Sequence, residues 1–157
     1  NDKTMIFLLK YFLVSHIFFG LLGIIFFYAV LISGIKQINF QKIKFFRRSA
    51  LFGFLSFVLS WLTGGYYYVL YYGAAVKPTI IAGKYPWAHS IFMEIKEHIF
   101  LFLPFAALVI TLMFYLFWDN LNQNPKIKNS VIALSAIVVI IGTIIALMGI
   151  IISGAVR

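Results

Sequence analysis

The sequence predicts an all-α integral membrane protein, an up-down bundle of four transmembrane helices, and three observations carry that prediction. Of 157 residues, 63% are hydrophobic and 11% are charged, against about 45–50% apolar and about 25% charged in a soluble domain. Four stretches supply the roughly 20 apolar residues that a spanning helix needs. None of them alternates polar and apolar residues as a strand of a membrane barrel would. A single membrane domain over residues 1–157 is expected at this length. Its spans fall at approximately 5–35, 49–72, 87–118 and 130–156, joined by short connections.

The first span begins near Met5, with Lys10 extending its ammonium out of the hydrocarbon. It is too long for a signal peptide and lacks a small-residue cleavage site. The run KQINFQKIKFFRR follows, carrying Lys36, Lys42, Lys44, Arg47 and Arg48. Basic loops of this kind stay on the cytoplasmic side and attract anionic headgroups. The expected orientation in a plasma (inner) membrane therefore has the 36–48 loop inside. Both termini and the 73–86 loop then lie outside. Lipid and topology account for the net charge of +9, so nucleic acid is not an expected partner. The absence of cysteine excludes disulfides, Cys-ligated clusters and thioether-attached haem.

In the second span Ser56, Ser60 and Gly64 recur every four residues, a face of small side chains on which membrane helices pack. It ends in GGYYYVLYYG, a dense tyrosine belt of the kind found at membrane interfaces. Pro86 suits an early position in the third helix. Trp87 and Trp118 flank that span as interfacial anchors, and Pro104 predicts a kink within it. DNLNQNPKIKN connects spans 3 and 4, with Pro125 as punctuation and Asn129 or Ser130 as the expected N-cap.

Counting inward from the basic border places His16, Tyr68, His98 and Met148 at one depth. Each lies about twenty residues, or roughly 30 Å, from that border, which places the layer and any site in it near the outer face, at the outer edge of the hydrocarbon. Gly20 shares the face of His16, and Gly64, Gly65 and Gly149 lie in the same layer. On the third helix Glu94 and His98 share a face, Glu97 is rotated by about 100° from His98, and His89 lies about 180° around. His89 is accordingly expected in the outer headgroup layer. Ionisable groups inside a span are costly and point to function.

The leading expectation is that His16 and His98 face each other from diagonal helices and ligate a b-type haem. Gly20 and Gly65 leave room for its plane, Tyr68 lies near its propionates, and Met148 is an alternative axial ligand. On His16 and His98 the chain resembles the small four-helix membrane b-type cytochromes. That resemblance implies electron transfer, with quinone or a redox protein as partner. A metal site formed by His16, Glu94, Glu97 and His98 is the second possibility, although the spacing matches neither the Glu-x-x-His nor the His-Glu-x-x-His pattern. A third is an accessory or assembly subunit of a larger membrane complex. No nucleophile–base pair points to an enzyme.

Overall fold

The structure, a computed structural model, describes residues 2–36 and 43–156. Lys42 of the basic run lies outside the described residues. Four helical stretches are long and apolar enough to cross a membrane: Phe7–Ile35, Ile43–Ala82, Ala88–Leu116 and Pro125–Gly154. The first is a single helix, α1 (Asp2–Ile35). The second comprises α2 (Ile43–Tyr67), a π-helical segment (Tyr68–Val76) and α3 (Lys77–Ala82). The third comprises a second π-helical segment (Ala88–Met93), α4 (Glu94–Ile99) and α5 (Phe102–Leu116). After the short α6 (Trp118–Gln123), α7 (Pro125–Gly154) forms the fourth.

These stretches form the expected four-helix bundle. α1 packs along α2 and α7, α2 along α5, and α5 along α7. The first and third spans therefore lie diagonally. Large apolar side chains such as Val14, Ile25, Leu116 and Ile150 face outward, as they do when the surrounding solvent is hydrocarbon.

Prolines shape the ends and joints. Pro78 sits at the start of α3, directly after the wide π-helical turns, which ease the clash a proline ring makes with the carbonyl four residues back. The second stretch consequently continues through 73–82, which the sequence suggested as loop. Pro104 lies three residues into α5. The carbonyl of Phe100, four residues before it, instead accepts from the Leu103 N–H at 3.2 Å, and the helix is interrupted there between α4 and α5. Asn124, rather than Asn129 or Ser130, caps the last helix. Its Oδ1 accepts from the N–H groups of Lys126 (3.0 Å) and Ile127 (3.4 Å), with Pro125 pre-set for the first turn. Arg47 closes the opposite kind of helix end. Its Nε donates to the Phe114 carbonyl (2.9 Å) and Nη2 to that of Tyr115 (3.2 Å). These are among the carbonyls at the end of α5 that the helix itself leaves unpaired.

The interior has two apolar clusters. The larger, toward the end where Arg47 lies, gathers Phe27, Phe46, Phe57, Ile110, Phe114 and Val138 with their neighbours. The smaller, toward the tyrosine-rich end, gathers Tyr72, Ile80, Ala88 and Ile152. Glycines let α1 and α2 close on one another: a Cβ added at Gly23 would stand 2.6 Å from the Phe57 ring, and one at Gly53 would stand 2.6 Å from the Phe27 ring.

Phe27 is fully buried and cannot swing aside, so Gly53→Ala is expected to destabilise the bundle by about 1–3 kcal/mol through overpacking. Gly65→Ala meets nothing within 4 Å and is expected to be neutral or mildly stabilising, by up to about 1 kcal/mol, through helix propensity. Thermal unfolding in detergent, followed by tryptophan fluorescence, separates the two.

Candidate functional site

The polar groups that count to one depth do meet in part, in a layer between the two apolar clusters. Along the second stretch the order is Phe57 in the larger cluster, then Ser60 and Gly64, then Tyr72 in the smaller cluster. Along the third stretch Leu103 lies in the larger cluster and Ala88 in the smaller, with Lys96 and Glu97 between them. Along α7 Gly149 separates Val138 from Ile152 in the same way.

His16 is the α1 member of this layer. Its Nδ1 lies 2.8 Å from the Ser60 carbonyl and 3.0 Å from Ser60 Oγ, and that hydroxyl donates to the His16 carbonyl at 2.9 Å. A carbonyl can only accept, so Nδ1 carries a proton, and in the neutral ring Nε2 is left with its lone pair. The ring is seated against Gly64, where any Cβ would collide with it. Gly20 lies beside Ser60 Oγ, at 3.2 Å from the position of an added Cβ. Most other hydroxyls in the spans bond back to their own helix, as Thr111 does to Ala107 and Ser135 to Val131. Ser60 instead joins two helices.

The third stretch contributes Lys96 and Glu97 to the interior. Lys96 reaches α7, with Nζ 3.4 Å from where a Cβ of Gly149 would stand. The Tyr68 hydroxyl and the Glu97 carboxylate are neighbours, and Oε1 of that carboxylate is buried with no hydrogen-bond partner among the described residues. One turn toward the tyrosine end, Tyr68 stacks on Tyr72 with centroids 5.3 Å apart. Tyr72 shares a 3.0 Å hydrogen bond with Nδ1 of His89.

His89 is thus buried within the protein, 4% exposed. The reason is rotational. His89, Met93, Lys96 and Phe100 recur at intervals of three and four and form the inward stripe, because they lie on one side of a helix. His98 is two residues from Lys96 and so faces the opposite way. It is exposed, its Nδ1 bonded to the Glu94 carbonyl of its own helix at 2.6 Å. With Ser90, Ile91, Glu94, Ile95 and Ile99 it lines an open groove of about 380 Å³.

The structure therefore turns His98 away from the interior in which His16 lies. Of the residues expected around a haem, Gly20 packs at the layer, Tyr68 reaches Glu97, Met148 precedes the Gly149 contact, and Gly65 faces open space. The residues expected around a metal are divided, with His16 and Glu97 inward and Glu94 and His98 outward. Among the described residues no group of three or more His, Cys, Asp or Glu side chains could hold an ion. No protein-family model, curated protein or solved structure matches the chain.

Tyr72→Phe removes the hydroxyl bonded to buried His89, and is expected to cost about 1–3 kcal/mol because the ring nitrogen loses its partner. His98→Ala, on the exposed face, is expected to change the stability of the single chain by no more than about 0.5 kcal/mol. Denaturation of both variants in detergent checks the contrast.

Proposed function

We propose that this chain is a non-catalytic subunit of a larger membrane assembly, docked through the outward face of its third span, with its basic end cytoplasmic. The observation that carries this reading is the exposed stripe Ser90, Glu94 and His98, one helical turn apart, within a stretch otherwise apolar enough to span a bilayer. Facing lipid, ionisable groups cost up to about 2.5–3.5 kcal/mol each at the helix centre and less toward the edge. A neighbouring helix that hydrogen-bonds them offsets that cost, and polar side chains join membrane helices in this way. The interior layer, where His16 and Ser60 join α1 to α2 and Lys96 reaches α7, fits the same reading by fixing the rotation of the docking helix.

The second reading is electron transfer through a b-type haem held by His16. The Nδ1–H bond to the Ser60 carbonyl supports it, because such a bond orients an imidazole and leaves Nε2 as the ligand atom. A bound haem would supply one-electron redox chemistry. His98 faces outward, so His16 is the residue of this pair that would hold the group within the bundle.

Native mass measurement after mild detergent extraction tests the first reading. The expected particle is heavier than one chain and falls toward a single chain in Glu94→Ala and His98→Ala. A wild-type particle of one chain would overturn it. An absorption spectrum of the same sample tests the second: a Soret band lost in His16→Ala supports it, and no band after haem supply removes it.

A further inference from the structure

We infer that the occupant of the outward face of the third span is a second copy of this chain, packed span to span about a two-fold axis along the membrane normal. The inference rests on the assembly reading above and names its partner. Two copies inserted into one membrane share an orientation, so their third spans run parallel. Each residue then meets residues at its own height or one turn away.

The face is self-complementary under that constraint. It offers a carboxylate at Glu94 and an imidazole at His98, one turn or about 6 Å farther along the helix. Two parallel copies place Glu94 of each beside His98 of the other, giving two reciprocal acid–base contacts. Nδ1 of His98 is already engaged by the Glu94 carbonyl of its own helix, which aims the ring and leaves Nε2 for the carboxylate of the second copy. A single proton between Nε2 and the carboxylate serves each contact. Ile91, Ile95 and Ile99, 50%, 38% and 37% exposed, flank the stripe and supply the packing. Ser90 spends its hydroxyl on the Pro86 carbonyl (3.3 Å) and is small enough for close approach. A symmetric interface uses one patch twice, so it needs a patch whose groups satisfy each other. Much of the exposed surface of α1 and α7 (Val14, Ile17, Ile25, Ile140, Leu147) is apolar and suits lipid.

The absence of cysteine makes the test direct. Ile91→Cys and Ile95→Cys, oxidised in intact membranes, are expected to give a covalent dimer of twice the chain mass. Val14→Cys and Ile140→Cys, on other helices and more exposed than Ile91 and Ile95, are expected to remain monomeric. Glu94→Ala or His98→Ala in the Ile95→Cys background should reduce the dimer several-fold, and the exchange E94H with H98E should restore it. Equal cross-linking of all four cysteine variants would overturn the inference, as would dimer formation indifferent to Glu94 and His98. Cross-linking of Ile95→Cys only to a polypeptide of different mass would overturn the second copy while leaving the assembly reading intact. A single-chain native particle would overturn both.

Discussion

Close approach of α1 and α2 is the constraint on which the rest of the structure depends. In hydrocarbon, burying one apolar surface against another has little driving force over leaving it in lipid, so helices associate through fit and through polar bonds. Here the fit is a reciprocal set of rings seated on glycines: Phe57 on Gly23, Phe27 on Gly53 and His16 on Gly64. The polar bonds are those between His16 and Ser60. Both kinds of contact need the backbones close, and a side chain at any of these glycines would hold them apart.

That approach sets the position of everything above it. With α1 and α2 joined at His16 and Ser60, the layer between the apolar clusters becomes the place where the third span can bury Lys96 and Glu97 beside other polar groups. Ionisable side chains are expensive in such an interior. The hydrogen bonds of His16 to Ser60 and of Tyr72 to His89 offset part of that cost, while Oε1 of Glu97 is buried with no hydrogen-bond partner among the described residues. The two π-helical segments flank this region in the second and third spans, and wide turns of this kind recur where a helix must present side chains out of regular register.

The inward Lys96 and Glu97 have an outward counterpart. The third span carries ionisable groups on two opposite sides, Lys96, Glu97 and His89 on one and Glu94 and His98 on the other. Ionisable groups near a membrane are least costly where they meet polar groups. One set lies inside this chain. The other, at Ser90, Glu94 and His98, points away from it, and this is the physical ground for reading the protein as one component of an assembly.

The sequence by itself determined the class, the number of spans and the bundle. All of these follow from composition, the length of apolar runs and a constant rise per residue. It also determined that His89 and His98 oppose each other, since nine residues turn a helix through about 180°. Only the tertiary structure decided which of those sides faces inward. In a soluble helix the apolar side marks the interior, but in lipid both sides are apolar, and the pattern around His98 reads equally well either way. Helix continuity through 73–82 and the cap at Asn124 were likewise decided by packing and local hydrogen bonds. For the same reason the role of Arg47 was hidden, because the carbonyls it caps lie 67 and 68 residues away along the chain. Periodicity fixes the angles between residues on one helix; the rotation of that helix against its neighbours comes from contacts that no single segment contains.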